Sequence, residues 1–218
     1  MKKGPLLTLL VGVVVAGVLL VLSMNAASKR DAANNAANTG DNPAAATSAA
    51  APTSAPPTTA ANLKATFAGK VDGGAATVAI AVNKGKAIAY LCDGNVTEAW
   101  LSGTATDGKL KLTGPNGSLN GTFTDGRVTG DVKASKKSWH FTAGVVKPPS
   151  GLYRSAADVR NAKVVGGWIV LADGTQVGIT SVDGAPKSAQ PLNTDSLTST
   201  VDGTALTAAP VDGDTSLQ

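Results

Sequence analysis

The sequence predicts an all-β protein, in which an antiparallel meander closes into a small barrel or folds as a sandwich and a smaller C-terminal β-hairpin unit follows. Glycine supplies 25 of the 218 residues and aromatic residues only 4%, a composition that suits short strands and many turns. Asp-Gly and Asn-Gly pairs recur between apolar runs, and such pairs are the strongest short-range hairpin signal. The runs between them alternate with a period of two, as half-buried strands do.

The first element is an apolar run over residues 6–24, preceded by two lysines. A cleaved signal peptide has an apolar core of about 7 to 15 residues, whereas a membrane-spanning helix needs about 17 to 25. Because the run falls in the second range, we expect residues 1–24 to be an uncleaved signal-anchor transmembrane helix. Lys29 and Arg30 nearly balance the basic residues before the run. Charge counting therefore does not decide the orientation. We expect the N-terminus to be cytoplasmic and the β region to lie outside the cell membrane, because the free amino terminus and the tract after the run favour this orientation.

Residues 25–62 consist mainly of Ala, Asn, Thr, Ser and Pro and contain no aromatic or large aliphatic residue. Such a segment cannot bury a hydrophobic core. We expect it to be a disordered linker with an r.m.s. span of roughly 35 Å. A bare spacer is favoured over an O-glycosylated stalk.

The meander is expected over residues 63–146. In a typical strand, Leu110 and Leu112 alternate with lysines. Two earlier runs, over residues 75–82 and 87–92, are apolar on both faces, which predicts the central strands of the sheet. Gly121 and Gly130 fall on the inward face, where a glycine lets a strand bend and lets a neighbouring aromatic ring such as Trp139 or Trp100 cover it.

The prolines after Lys147 mark the start of a connector over residues 147–163. Ser155 and Asp158 have the spacing of a capping box, so a two-turn helix is predicted over residues 156–163. Residues 164–212 are expected to form the small β-hairpin unit, because Asp173-Gly174 separates two apolar runs. A weak internal repeat relates residues 181–191 to residues 200–210 and implies paired hairpins. Residues 213–218 are expected to be a disordered tail.

Charge excludes one class of partner. The formal net charge is +4, but from Leu63 onward 15 Lys and Arg residues face 13 Asp and Glu residues. A small excess of this kind is not the footprint of a nucleic-acid binder, so no nucleic-acid partner is expected.

Two single residues are the candidates for catalysis. His140, the only histidine, lies by alternation on the face opposite Trp139 and Phe141 and is expected to be an exposed strand residue rather than a general base. Cys92, the only cysteine, ends an apolar strand, where burial is favoured over a nucleophilic or cross-linking role. No orienting motif supports a Cys92–His140 pair.

No metal or cofactor site is predicted. One histidine and one cysteine cannot supply a zinc set, and the Asp-Gly pairs have the spacing of turns rather than of a calcium loop. With no catalytic constellation in view, the chain is not expected to be an enzyme.

The outward face of the meander is mildly basic. A solvated strand face is the simplest interpretation, and the sharper hypothesis is contact with an anionic envelope polymer or lipid surface. The residues of this candidate surface are Lys109, Lys111, Arg127, Lys133, Lys136 and Lys137.

The layout of an export helix, an Ala/Thr/Pro tether and a β region with few aromatic residues resembles uncharacterised membrane-anchored extracytoplasmic β-domain proteins of actinobacteria, the high-GC Gram-positive bacteria. The stretches at residues 87–94, 98–101 and 151–154 carry this resemblance. It implies a place in the cell envelope, and it carries no site residue to this chain.

Together these expectations describe a non-catalytic extracytoplasmic binding or scaffold module tethered to the cell membrane through residues 6–24. Its partners would be envelope proteins or anionic cell-wall polymers. The alternatives are a small-ligand-binding barrel that uses its mouth and, with least support, an extracytoplasmic hydrolase.

Overall fold

The computed structural model of the chain describes residues 63–217. The expected signal anchor over residues 1–24 and the linker over residues 25–62 lie outside the described residues. Residues 63–217 contain no α-helix. Among them, no helix is long and apolar enough to cross a membrane.

The described residues form strands joined mostly by tight turns, with a short 3-10 turn at Asp72–Gly74. The strands are β1 (Lys64–Lys70), β2 (Thr77–Asn83), β3 (Lys86–Cys92), β4 (Glu98–Thr106), β5 (Lys109–Gly114), β6 (Gly117–Phe123), β7 (Arg127–Ala134), β8 (Lys137–Val146), β9 (Gly151–Val159), β10 (Ala162–Val170), β11 (Gln176–Val182), β12 (Ala185–Ser188), β13 (Thr198–Val201), β14 (Thr204–Thr207) and β15 (Ala209–Pro210).

Strands β1 to β8 form a closed antiparallel barrel in chain order, and β1 pairs with β8 to complete it. The all-β prediction is therefore confirmed. Of the two predicted forms, barrel and sandwich, the meander adopts the barrel. The turn before β5 shows how the sequence sets the register. Asp107 has φ 50° and Gly108 φ 69°, and positive φ at both central residues is what a two-residue type I′ hairpin requires.

The barrel interior is a continuous apolar cluster to which all eight strands contribute alternate residues. Gly121 and Gly130 have the inward parity that the sequence predicts, and they are directly paired. A Cβ on Gly121 would lie 2.7 Å from the Thr129 carbonyl oxygen, so the strands approach too closely there for a side chain. The aromatic residue paired with Gly130 on the next strand is Phe141, not the predicted Trp139 or Trp100. Trp100 lies on the outer side of the barrel.

A five-stranded sheet, in the order β12-β11-β10-β9-β15, packs against the outside of the barrel. Its barrel-facing residues, such as Leu152 and Ile169, form one buried cluster with the outward side chains of β2 and β3, such as Ala79 and Ile88. This explains why β2 and β3 are apolar on both faces. They are not central strands of an open sheet but barrel strands covered on the outside by a second sheet.

The other face of this second sheet is covered by the β13–β14 hairpin and the segment that precedes it. Trp168 and Tyr153 pack there with Leu192 and Leu206, and Trp168 Nε1 donates a hydrogen bond of 2.9 Å to the Gln190 carbonyl oxygen. The sheet is therefore the middle layer of three.

The predicted internal repeat is confirmed as a pair of hairpins, β11–β12 and β13–β14. Asp183-Gly184 and Asp202-Gly203 turn the two hairpins with nearly equal backbone angles, φ 48° and 84° in the first and 47° and 77° in the second.

The predicted helix over residues 156–163 is wrong, because this segment is the hairpin that joins β9 to β10. Arg160 and Asn161 form its turn, with φ 51° and 68°, and continuous pairing runs from Val159–Ala162 to Gly151–Val170. Helix propensity is a weak prior that such tertiary pairing overrides.

The expectation of a disordered tail is also wrong for residues 213–217, because they are held against the folded unit. Arg154 Nη2 donates a hydrogen bond of 3.1 Å to the Leu217 carbonyl oxygen, and Asn83 Nδ2 donates one of 3.4 Å to Asp214. Just before this segment, Lys64 and Asp212 form an ion pair of 2.7 Å.

Candidate functional site

Apart from Trp100 and Val146, which pack against the second sheet, the side of the barrel formed by β4 to β8 carries no other sheet of the described residues and presents most of its outward side chains to solvent. We call this side the open face. Cross-strand pairing aligns one outward residue from each of its five strands in a row, which we call the central row. Its members are Thr104, Lys111, Asn120, Asp131 and His140.

The neighbouring row of the open face is rich in threonine, and we call it the threonine row. Its members are Thr106, Lys109, Thr122, Thr129 and Thr142. The hydroxyls of Thr122 and Thr129 lie 3.3 Å apart across the strand pair. The two rows together place hydroxyl, amide, carboxylate, imidazole and ammonium groups on one surface.

A cleft of about 670 Å³ lies over these two rows. All five central-row residues line it, together with four members of the threonine row and with Leu110, Gly121 and Gly130. Its volume lies in the range of about 300 to 1,000 Å³ found for small-ligand sites, but those sites enclose most of their ligand, whereas this cleft is shallow and largely open to solvent. The cleft is the candidate functional site.

The charges in the cleft are mixed. Lys109 and Lys111 lie two residues apart on β5 and so point to the same face, roughly 7 Å apart along the strand. Asp131 supplies the opposing carboxylate, and its Oδ1 atom lies 3.3 Å from His140 Nδ1, with side chains that are 69% and 54% exposed. Exposed pairs of this kind contribute little to stability, about 0 to 1 kcal/mol, so both groups remain available to a ligand.

His140 is therefore the exposed strand residue that the sequence predicts. Its neighbour in the row is Asp131.

The six basic residues predicted as a polymer-binding surface are all exposed, but they occupy different parts of the barrel. Lys109 and Lys111 line the cleft. Lys133 lies one row further along β7, while Arg127 begins β7 at the opposite end. Lys136 is in the β7–β8 turn. Lys137 pairs with the buried Ala134, so it has the parity of the interior residues and lies at the rim of the barrel.

Cys92 is buried beneath the second sheet, as the sequence predicts. Burial raises the pKa of its thiol to about 12, which keeps it protonated and unreactive at neutral pH. The structure does not bring Cys92 and His140 together, because the thiol packs in the covered cluster and the imidazole lies in the open cleft.

A stack of side chains fastens the barrel to the second sheet near Cys92. The rings of Tyr90 and Trp100 lie 4.1 Å apart between centroids, at an angle of 25°, and the Arg154 guanidinium lies 5.6 Å from the Trp100 ring. Tyr90 also donates a hydrogen bond of 2.8 Å to Glu98. Burial raises the pKa of Tyr90 well above its ordinary value and lowers that of Arg154. Tyr90 and Arg154 thus both contact the Trp100 ring from within the chain.

The sequence did not mark Asn120, Asp131 or Thr104 as parts of a site. The alternation of β6 and β7 already marked Asn120 and Asp131 as outward residues. What was missing is the strand register, which decides that Lys111, Asn120, Asp131 and His140 stand side by side.

Within residues 63–217, no group of three or more His, Cys, Asp or Glu side chains is placed to hold a metal ion. Comparisons with protein-family models, with curated proteins and with solved structures returned no match to this chain.

Proposed function

We propose that this chain is a non-catalytic extracytoplasmic binding module, tethered to the cell membrane through residues 6–24, that holds an anionic envelope polymer in the cleft of the open face. The single observation that carries the proposal is the alignment of Lys109 and Lys111 with the polar central row over a cleft of about 670 Å³.

The architecture supports a fixed docking surface. The cleft stands on five consecutive strands that pair over most of their lengths, and the interior beneath it is filled with buried side chains such as Leu112 and Phe141. Sites on paired strands hold their groups more accurately than sites on loops. A surface of this kind can bind a polymer without paying for the ordering of its own backbone.

The packed interior is also the reason that we favour the open face over the barrel mouth. Phe67, Ile80 and Leu101 are fully buried within the barrel, so the space that a ligand inside the barrel would need is occupied by side chains.

The proposal is tested by isothermal titration of the full chain with a soluble polyuronate, at low and at high salt. We expect the double variant K109Q/K111Q to bind about three- to tenfold more weakly at low salt, because each exposed ion pair is worth about 0.2 to 1 kcal/mol. We also expect the difference to shrink at high salt as the charges are screened.

The matched control is K147Q/K163Q, which removes the same charge from exposed residues that do not line the cleft. The proposal fails if this control weakens binding as much as K109Q/K111Q does, or if K109Q/K111Q binds like the parent chain.

A further inference from the structure

From the groups that line the cleft, we infer that its ligand is a hydroxyl-bearing polyanion, a polymer of acidic sugar units, rather than a polymer that offers negative charge alone. The inference rests on the proposed function and specifies the chemistry of the ligand. It depends on Asp131, the one carboxylate among the described residues that line the cleft.

Asp131 contacts His140 Nδ1 at 3.3 Å, but so exposed a pair contributes little to stability, and a site built only to hold negative charge gains little from this carboxylate. The carboxylate lies in the same row as Lys111 and lines the same cleft. An ionised carboxylate only accepts hydrogen bonds, and it repels a neighbouring anion. For a polymer of plain negative charge, Asp131 is therefore unfavourable.

For a polyol the same carboxylate is favourable, because hydroxyl groups donate to it. Hydrogen bonds to an ionised acceptor are about twice as strong as those between neutral groups. Asn120 stands beside Asp131 in the central row and adds an amide that both donates and accepts. The hydroxyls of Thr104, Thr122 and Thr129 line the remainder of the cleft.

The two lysines complete the complementarity. Lys109 and Lys111 lie on β5, and Asp131 lies on β7 with β6 between them, so the basic and acidic groups stand on opposite sides of Asn120 and Thr122. Neighbouring strands are about 4.8 Å apart, which places the lysine strand and the carboxylate strand roughly 10 Å from each other. A sugar unit lying across β6 can direct an anionic substituent to the lysines and its hydroxyls to Asp131.

Two sources of negative charge share this chemistry, the carboxylate of a uronate unit and the phosphate of a sugar phosphate. Both direct anionic oxygens to the lysines and hydroxyls to Asp131. The test therefore uses one polymer of each kind.

The experiment measures the binding of four soluble polymers to the full chain: polygalacturonate, a phosphomannan, polyglutamate and dextran. We expect at least one of the two acidic glycans to bind about tenfold more tightly than polyglutamate of matched charge, because polyglutamate offers no sugar hydroxyls. Dextran, which lacks charge, should bind more weakly than either acidic glycan.

The decisive variant is Asp131→Asn, with Asp125→Asn in the β6–β7 turn as its matched control. If Asp131 accepts ligand hydroxyls, Asp131→Asn weakens binding of the preferred acidic glycan about tenfold, which is the loss of one charge-assisted hydrogen bond. The same variant should bind polyglutamate slightly more tightly. Asp125→Asn removes the same charge and should slightly strengthen the binding of both the acidic glycan and polyglutamate. Asp131→Glu should retain more glycan affinity than Asp131→Asn.

The inference is overturned if Asp131→Asn tightens glycan binding as Asp125→Asn does, or if polyglutamate binds as tightly as both acidic glycans. Those outcomes leave charge-driven polymer binding intact. If K109Q/K111Q has no effect on any polymer, the proposed function itself has failed.

Discussion

The two sides of one barrel show how the same strand pattern serves two purposes. On the side formed by β2 and β3, outward residues such as Ala79, Ala81 and Ile88 are buried beneath the second sheet. On the side formed by β4 to β8, the outward positions hold Lys, Thr, Asn, Asp and His and line a cleft. The interior positions are apolar on both sides. The outward residues alone therefore decide which side of the barrel is packed and which side is free to bind.

The difference follows from the side chains themselves. Alanine carries no rotamer entropy into a packed layer and allows close approach of two sheets, whereas burial of an unpaired lysine is costly. The covered side therefore tolerates few changes, and the open face tolerates many. Four measurements test this contrast.

The largest contrast is expected in thiol reactivity. Cys92 lies on the covered side with a pKa of about 12, so its thiolate fraction near neutral pH is about a thousandfold below that of an ordinary cysteine. Alkylation of the native chain, followed by mass spectrometry, should be slower by at least that factor than alkylation of the unfolded chain. A control with Cys92→Ala and Lys111→Cys moves the single thiol to the open face and should react rapidly. Equal rates for the two chains would remove the distinction between the sides.

The second contrast is in stability. Ile88→Ala removes a side chain that is 2% exposed between barrel and second sheet, and loss of a buried isoleucine costs about 2 to 5 kcal/mol. Lys111→Ala on the open face should change the free energy of unfolding by less than about 0.5 kcal/mol. Urea unfolding of both variants measures the difference. Similar costs at the two positions would contradict the assignment of covered and open sides.

A smaller effect is expected where the second sheet meets the aromatic stack. A Cβ on Gly167 would lie 2.7 Å from Trp100 Cζ2 and from Tyr90 Cζ, so Gly167→Ala forces these rings to shift and should cost about 1 to 3 kcal/mol. Gly144 in β8 has no atom within 4 Å of its ideal Cβ, so Gly144→Ala is the control and should be neutral or slightly stabilising. Thermal melts compare the stabilities of the two variants. A Gly167→Ala variant as stable as the parent chain would mean that the Tyr90–Trp100 stack is not tightly packed against Gly167.

The smallest effect concerns the dependence of stability on pH. Burial raises the pKa of Glu98, although its hydrogen bond from Tyr90 acts in the opposite direction. Its folded-state pKa is then above the unfolded one, so its contribution to stability is present below the unfolded pKa and is lost as pH rises through the folded pKa.

Glu98→Gln should therefore gain stability relative to the parent chain as pH rises from about 4 to 7, by less than either packing effect above. Urea unfolding at several pH values measures this, and Asp125→Asn serves as an exposed acidic control. A relative stability of Glu98→Gln that falls over the same range would mean that the carboxylate is stabilised by its surroundings.

Much of the barrel was predictable because its signals are local. Asp107-Gly108 fixes a two-residue turn, and the alternation around Leu110 and Leu112 fixes which face of β5 points inward. Closure was not predictable from these local signals, because it depends on the pairing of β1 with β8, which lie at opposite ends of the meander, and the sequence left the barrel and the sandwich open.

The errors arose where local preference and tertiary pairing disagree. Ala156 and Ala157 favour a helix by propensity, yet they pair with Val165 and Val164 in β10. The pair Arg160-Asn161 was the available signal for a turn, because asparagine tolerates positive φ better than most residues do. The apolar outward faces of β2 and β3 were recognised, but the sequence did not reveal that a second sheet from the same chain covers them.

The site was less predictable than the fold. Its lysines stood out as charges on an outward face, but a site depends on which residues are neighbours across strands. Asp131 and His140 are nine positions apart in sequence and adjacent in the structure. Only the register shows that Lys111 and Asn120 extend the same row.

The most direct test of the central claim is to map polymer binding residue by residue, by following the backbone amide NMR signals of the full chain as an acidic glycan is added. The largest shifts are expected in the central and threonine rows, at residues such as Lys111, Asn120 and Asp131. Signals of Leu152 and Ile169, on the covered side, should stay in place. Binding in the cleft would be contradicted by shifts concentrated in the second sheet. It would also be contradicted by shifts at Lys136 and Lys137 on the barrel rim with none at the residues of the cleft.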